Sequence, residues 1–272
     1  MDAVFLHANG FNAGTYRQLL APLAERCRIL AVDQRGHGGS TLPTSTDARS
    51  DWLDLRDDLL AFLAVLGLQK VVLAGHSMGG TVSLLAAAEA PDRCRRLVLV
   101  DPVVLPPGQL PKAADSPLVE GARRRRAAFP DRAAAFAAYR GRGAFATWPD
   151  EVLADYVQAG FRDLDDGTVT LACAPAWEAS GFSSQGHDTW GALARSRCPI
   201  HALRAETAST FHLGPAETVA GGRLRIETVS GSSHFLPMER PEEVRRALAA
   251  AILGEDPPEA GRAGVASAES LG

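Results

Sequence analysis

Short apolar segments that alternate with helix-patterned ones predict an α/β fold: a mostly parallel sheet of about six strands, flanked by helices and carrying an inserted helical lid. Three observations predict it. Runs such as Val71-Val72-Leu73-Ala74 and Arg96-Leu97-Val98-Leu99-Val100 are short and almost wholly apolar, as strands buried on both faces of a parallel sheet must be. Helical periodicity fills the intervals between such runs. One interval, residues 106–190, is far longer than a crossover requires and must carry structure of its own.

Taken in order, Val4-Phe5-Leu6-His7 reads as the first strand and runs into the turn-rich loop Ala8-Asn9-Gly10-Phe11-Asn12-Ala13-Gly14. Residues 16–26 carry Leu19, Leu20 and Leu23 at helical spacing, and residues 28–33 return to a strand pattern. Leu55, Leu59, Phe62, Leu63 and Leu66 predict a helix over 51–66, with Asp51 as a cap and Gly67 as its stop. Strands at 71–74 and 96–100 bracket an Ala-rich helix at 78–90. Residues 200–204 and 224–229 read as the last two strands, and 241–253 as a closing helix. In the long interval, opened by Pro106-Pro107-Gly108, residues 123–126, 133–139 and 151–158 read as helices. The expected division is a core of residues 1–105 and 191–254, a helical cap at 106–190, and a tail at 255–272. That tail, rich in Glu, Pro, Gly, Ala and Ser, has little to bury and reads as disordered.

Of the 272 residues, 46% are hydrophobic and 22% charged, and the net charge of -4 shows no basic excess of the kind nucleic-acid binding needs. No apolar run approaches the roughly 18 residues of a membrane span, and the first residues lack a basic, then apolar, leader pattern, so a cytoplasmic protein without a membrane partner is expected. Cys27, Cys94, Cys173 and Cys198 lack paired metal-site spacing and read as reduced, buried thiols. No phosphate loop, dinucleotide fingerprint or metal-ligand cluster occurs, and no cofactor and no metal are expected.

The sharpest motif is Gly75-His76-Ser77-Met78-Gly79, a G-x-S-x-G directly between a predicted strand and a predicted helix. A serine hydroxyl is a poor nucleophile unless a tight turn exposes it to a base, and the helix start favours developing negative charge. Glycines at 75 and 79 remove side chains from that crossing. With this turn, the segments Leu6-His7-Ala8-Asn9-Gly10-Phe11, Asp33-Gln34-Arg35-Gly36-His37-Gly38-Gly39-Ser40 and Gly231-Ser232-Ser233-His234-Phe235-Leu236-Pro237 give the chain a resemblance to the α/β-hydrolase fold family over about residues 1–253.

The resemblance implies roles. It makes Ser77 the nucleophile and His234 the general base, whose ordinary pKa of about 6.5 suits proton transfer near neutrality. A third, acidic group should orient the imidazole. The commoner family position for it, after the strand at 200–204, holds Ala208 and Ser209, so the acid is expected to be Asp101, after the preceding strand, in preference to Glu206. The amides of Asn9 and Met78 fall at the oxyanion-hole positions. Trp148, Trp177 and Phe182, in the aromatic-rich insertion, are expected to line an apolar substrate pocket, whereas Arg123 to Arg126 read as a solvated face.

The implied reaction is hydrolysis of carboxylic esters or lactones of small to medium apolar substrates through an acyl-enzyme. The same residues could serve a carbon–carbon or thioester hydrolase, or the fold could serve as a ligand receptor. The resemblance starts almost at Met1, which leaves the strand at 28–33 as a sheet edge and invites pairing into a homodimer.

Overall fold

The computed structural model describes residues 1–106, 116–213 and 219–255. Pro107, Gly108 and residues 256–272 of the expected tail lie outside the described residues. Six strands form the main sheet: β1 (Ala3–Leu6), β2 (Ile29–Val32), β3 (Val71–His76), β4 (Cys94–Val100), and, beyond the insertion, β8 (Ile200–Ala205) and β9 (Leu224–Val229). Their order is β2-β1-β3-β4-β8-β9, and every pairing is parallel. Strand β2 is thus an edge.

Alternation along each strand divides the core. Val4, Leu6, Leu73, Leu97 and Leu99 face one side, and Phe5, Val72, Val98 and Val100 the other. On the first side lie α2 (Leu53–Val65) and α3 (Met78–Glu89), joined by α8 (Thr189–Arg195). On the other lie α1 (Arg17–Leu20) and α10 (Pro241–Leu253), with the short α9 (Leu236–Glu239) before α10. Helix α10 stops at Gly254, whose left-handed φ of 79° suits the end of a helix, while Arg95 donates to the terminal carbonyls of Ala251 and Ile252. Among the described residues, no helix is long and apolar enough to cross a membrane.

Between β4 and β8 the chain forms α4 (Pro117–Arg123), β5 (Ala128–Phe129), α5 (Arg132–Tyr139), α6 (Asp150–Gly160), β6 (Phe161–Asp163), β7 (Val169–Leu171) and α7 (Pro175–Ser183). Here the structure differs from the expected all-helical segment, because β5, β7 and β6 form a small antiparallel sheet. Strands of two or three residues are too short to leave a period in the sequence. The helix expected over 123–126 also lies elsewhere: α4 ends at Arg123, and Arg125, far from being a solvated face, turns inward to Glu178 at 2.7 Å. Aromatic rings of the insertion, among them Phe145, Trp148 and Tyr156, join the core of the second side through Phe11 and Tyr16.

Strand order reverses between β1 and β3, so the loops after their carboxyl ends diverge and leave a crevice there. The crossing of α3 over this point is tight. A Cβ on Gly79 would collide with the backbone carbonyls of Leu6 and His7, and one on Gly75 with the backbone of Gly79. Neither backbone can retreat without shifting the sheet, so Gly79→Ala is expected to destabilise by about 1–3 kcal/mol, lowering the thermal midpoint by about 2–4 °C for each kcal/mol. A midpoint in Gly79→Ala equal to that of the parent would refute this steric account.

Candidate active site

Ser77 follows β3 in a backbone conformation that non-glycine residues rarely take, with φ 52° and ψ −120°. Its N–H donates to the carbonyl of Val100 at 2.9 Å, and the turn lifts the hydroxyl to the crevice. His234 reaches it from the loop after β9: Nε2 lies 3.0 Å from the Ser77 Oγ. On its far side, Nδ1 lies 2.6 Å from Oδ2 of Asp101. A carboxylate only accepts, so Nδ1 carries the proton and Nε2 presents a lone pair to the serine hydroxyl. The three side chains form one hydrogen-bonded line.

Asp101 is fully buried, and its charge is balanced by a dense set of donors. Oδ1 accepts from the Ala205 amide at 2.9 Å and the Ser209 hydroxyl at 2.5 Å, and Oδ2 accepts from the Thr210 amide at 3.1 Å. Burial pushes this carboxyl up, but the hydrogen bond and charge of His234, with the bonds from Ser209 and Ala205, outweigh it and hold it below the usual carboxylate value. Glu206, the other candidate, is exposed and engaged elsewhere, by Ser230 at 3.0 Å and the Gly231 amide at 2.9 Å. Ala208 and Ser209 fall where the commoner pattern has its acid, and the Ser209 hydroxyl donates to the Asp101 carboxylate. No spacing rule reveals Ser209 or Thr210 as anchors.

Among the described residues, the amides of Asn9 and Met78 have no hydrogen-bond acceptor. Met78 is the first residue of α3, where an N–H has no partner within the helix, and Asn9 lies across the crevice after β1. The Asn9 loop is held by the insertion: Asn9 Nδ2 donates to the Glu178 carbonyl at 2.9 Å, and Asn12 Nδ2 to the Tyr156 carbonyl at 3.1 Å. Glu178 is itself fixed by Arg125, which also bonds the Tyr156 hydroxyl.

A cavity of about 710 Å³ opens over Ser77 and His234. Its walls include Phe11, Val103, Leu105, Phe145, Phe182 and Phe235, with Arg125, Arg142 and Glu178 as charged members. Of the three aromatic residues expected there, Phe182 is present and the two tryptophans are not. The Trp177 indole instead donates to the Arg35 carbonyl at 3.0 Å beneath the Arg49 guanidinium, and Trp148 is packed between Phe11, Phe145 and Tyr156. Both rings are drawn inward because an indole buries more apolar area in a core than at a pocket rim. Tyr139 and Phe145 line the cavity in their stead.

A family model described as "Alpha/beta hydrolase family" matches residues 3–247. The chain is 27% identical over 251 residues, 90% of its length and 85% of the relative's, to a 2-(acetamidomethylene)succinate hydrolase of Mesorhizobium japonicum. It also superposes on the crystal structure of an E-2-(acetamidomethylene)succinate hydrolase with a TM-score of 0.76 and 26% identity, covering 92% of this chain and 91% of that one. A shorter match, 41% identical over 109 residues, 39% of this chain and 34% of the relative, is to an sn-1-specific diacylglycerol lipase of Mus musculus.

Below this site the fold buries histidines that must stay neutral. In His37, Nδ1 donates to the Arg35 carbonyl and Nε2 accepts from the Gly10 amide; in His7, Nδ1 donates to the Ala8 carbonyl and Nε2 accepts from the Gln34 amide. A second proton would face an N–H. Burial lowers the pKa of His7, and burial with the neighbouring His7 imidazole, whose ring could not share a second positive charge, lowers that of His37 well below the ordinary value. Burial likewise lowers His187 to about 4, and burial with the nearby charge of His234 lowers His76 to about 3. The unfolded chain takes up these protons near pH 6.5 and the folded chain does not, so stability is full above about pH 7 and is lost as pH falls below about 6.5. The loss is about 2 kcal/mol for each of His76 and His187 by about pH 5. Asp101, with its depressed folded value, adds a loss only as pH falls through the usual carboxylate range of about 4. Urea unfolding is expected to show a lower midpoint at about pH 5 than at about pH 7.5. A midpoint that holds or rises on acidification would contradict the neutral assignment.

Proposed function

Because the chain belongs to the alpha/beta hydrolase family, we propose that it is a serine hydrolase that cleaves carboxylic esters or lactones of small to medium apolar substrates through an acyl-enzyme. The observation that carries this reading is the unbroken line from Asp101 through His234 to Ser77 at the cavity floor. His234 Nε2 takes the Ser77 proton as Oγ bonds to the carbonyl carbon, and Asp101 stabilises the imidazolium that forms. The oxyanion meets the free amides of Asn9 and Met78, donors each worth about 3 kcal/mol of barrier. His234 then returns the proton to the leaving alcohol. In the second half, water attacks the acyl carbon with His234 as base and frees Ser77.

The cavity volume lies within the range of small-molecule sites, and its phenylalanine and leucine walls favour an apolar acyl or alcohol group. In this reading the insertion acts as a lid, since Phe145 and Phe182 come from it. A second reading, cleavage of a carbon–nitrogen bond in a carboxylate-bearing substrate, is favoured by two observations. The relative matched over most of its length is a 2-(acetamidomethylene)succinate hydrolase, and Arg142, a cavity-lining residue, has no ion-pair partner among the described residues. The nucleophile and base are the same in both readings, and a panel pairing each ester with its amide separates them.

With short p-nitrophenyl esters, Ser77→Ala is expected to lower kcat by at least about 10³, leaving only what binding and the oxyanion donors supply. Asp101→Asn, which permits the wrong imidazole tautomer, is expected to lose about 10³ to 10⁴ in kcat. Glu206→Gln should stay within about twofold of the parent. Absence of turnover in the parent together with no labelling of Ser77 by a fluorophosphonate would end this reading and favour a ligand receptor. A large loss in Glu206→Gln with none in Asp101→Asn would reassign the acid.

A further inference from the structure

His76, the residue before the nucleophile, is buried completely, and the mechanism above gives it no task. Its ring centroid lies 5.0 Å from that of His234. Nε2 lies 2.7 Å from the backbone carbonyl oxygen of His234, and Nδ1 lies 2.7 Å from the Tyr16 hydroxyl. That hydroxyl is 3.0 Å from the Ala8 amide, and Tyr16 is 1% exposed. Chemistry fixes every direction in the chain. The His234 carbonyl can only accept, so Nε2 carries the proton; a neutral ring then has a bare Nδ1, which accepts from the Tyr16 O–H, whose oxygen accepts from the Ala8 N–H. The series runs Ala8 N–H to Tyr16 O–H to His76 Nδ1, and from His76 Nε2–H to the His234 carbonyl.

The two ends of this series matter. Ala8 immediately precedes Asn9, which lines the cavity, and the His234 carbonyl belongs to the residue whose ring faces Ser77. The middle member is covalently joined to Ser77. We propose that Tyr16 and His76 are positioning residues, a buried hydrogen-bonded brace that sets the distance between the loop bearing the Asn9 amide, the Ser77 turn and the main chain of His234. The proposal rests on the serine-hydrolase reading for its effect on turnover, whereas the brace itself is a matter of ring tautomer. Burial and the neighbouring His234 keep His76 from taking a second proton, which would turn Nδ1 into a donor and break the link to Tyr16. Phe5 packs against Tyr16 with ring centroids 4.9 Å apart, so the phenol ring has apolar support that survives loss of its hydroxyl.

The test has two arms on the full chain. Long-range proton–nitrogen spectra of the imidazoles are expected to show His76 as a single neutral Nε2–H tautomer in the parent; Tyr16→Phe keeps that tautomer, which the His234 carbonyl fixes, and shifts the Nδ1 resonance as its hydrogen bond is lost. In ester turnover, Tyr16→Phe is expected to lower kcat by about tenfold with KM within about twofold, since a misplaced reacting group costs rate and not binding. His76→Leu, which removes both links, should lose about 10², and His76→Gln, whose amide can still donate to the His234 carbonyl, should recover much of that loss. Equal thermal midpoints in Tyr16→Phe and the parent exclude a folding defect as the cause. Parent-like kcat in a folded Tyr16→Phe together with an unchanged His76 Nδ1 resonance overturns the proposal, as does a His76→Gln no better than His76→Leu. A parent without turnover would count against the hydrolase reading alone, and the tautomer spectra would then decide the brace.

Discussion

The hydrogen bond between His234 and Asp101 is the constraint around which the rest of the site is arranged. A carboxylate with no exposed surface is costly to ionise unless donors surround it, and here the Ala205, Ser209 and Thr210 groups do so along with the imidazole. These donors come from the end of β8 and the loop after it, while Asp101 comes from the end of β4. One buried charge therefore ties two loops together and presents a single oxygen, Oδ2, to Nδ1. Remove the charge and the tautomer of His234 loses its reason to be the one that leaves Nε2 open.

The loop carrying Asn9 is held from two directions by different parts of the chain. From the core, Tyr16 accepts the Ala8 N–H and His37 accepts the Gly10 N–H. From the insertion, the Glu178 and Tyr156 carbonyls accept from the Asn9 and Asn12 side chains. Gly10 closes the contact, since a Cβ there would strike the Glu178 carboxyl, and its φ of 76° is one a side chain would resist. The insertion thus does more than line the cavity: it bonds the loop that bears one of the two free amides. Any motion that lifted α7 away would release the Asn9 side chain from the Glu178 carbonyl and loosen that loop.

Much of this was legible before any coordinates, for a physical reason: the strands are nearly uniform apolar runs, and the turn at Ser77 needs glycine at 75 and 79 on steric grounds. Constraints that act through the local chain leave a local trace. The expected strand at 224–229 and helix at 241–253 match the observed limits of β9 and α10. Asp101 was reachable because the usual acid position held Ala208 and Ser209, an absence that pointed to the next available strand end. What could not be read is what depends on direction. Aromatic content suggested Trp148 and Trp177 for the cavity, but a residue type does not say which way its ring turns, and both pack inward. Arg125, inside a run of four arginines, read as solvated and is instead half-buried against Glu178. Ser209, Thr210 and Tyr16 lie far along the chain from the groups they bond, and no spacing connects them.

Two residues of the hydrogen-bonded line sit in strained backbone: Ser77 at φ 52° and Asp101 at φ 42°. Such conformations cost about 1–3 kcal/mol each and persist only where the surroundings over-determine them. The surroundings here are the sheet. Ser77, leaving β3, donates its N–H to Val100 on β4, and Asp101, leaving β4, donates its N–H to Leu203 on β8 at 2.7 Å. Each strained residue is one step past the end of its own strand and is anchored to the next strand over. The positions of hydroxyl and carboxylate therefore follow from the register in which His76 pairs with Val100 and Val100 with Leu203. A slip of one residue would turn every side chain on a strand to the opposite face and carry the Ser77 hydroxyl and Asp101 carboxylate out of line, and the close packing of unlike side chains on the two faces opposes it.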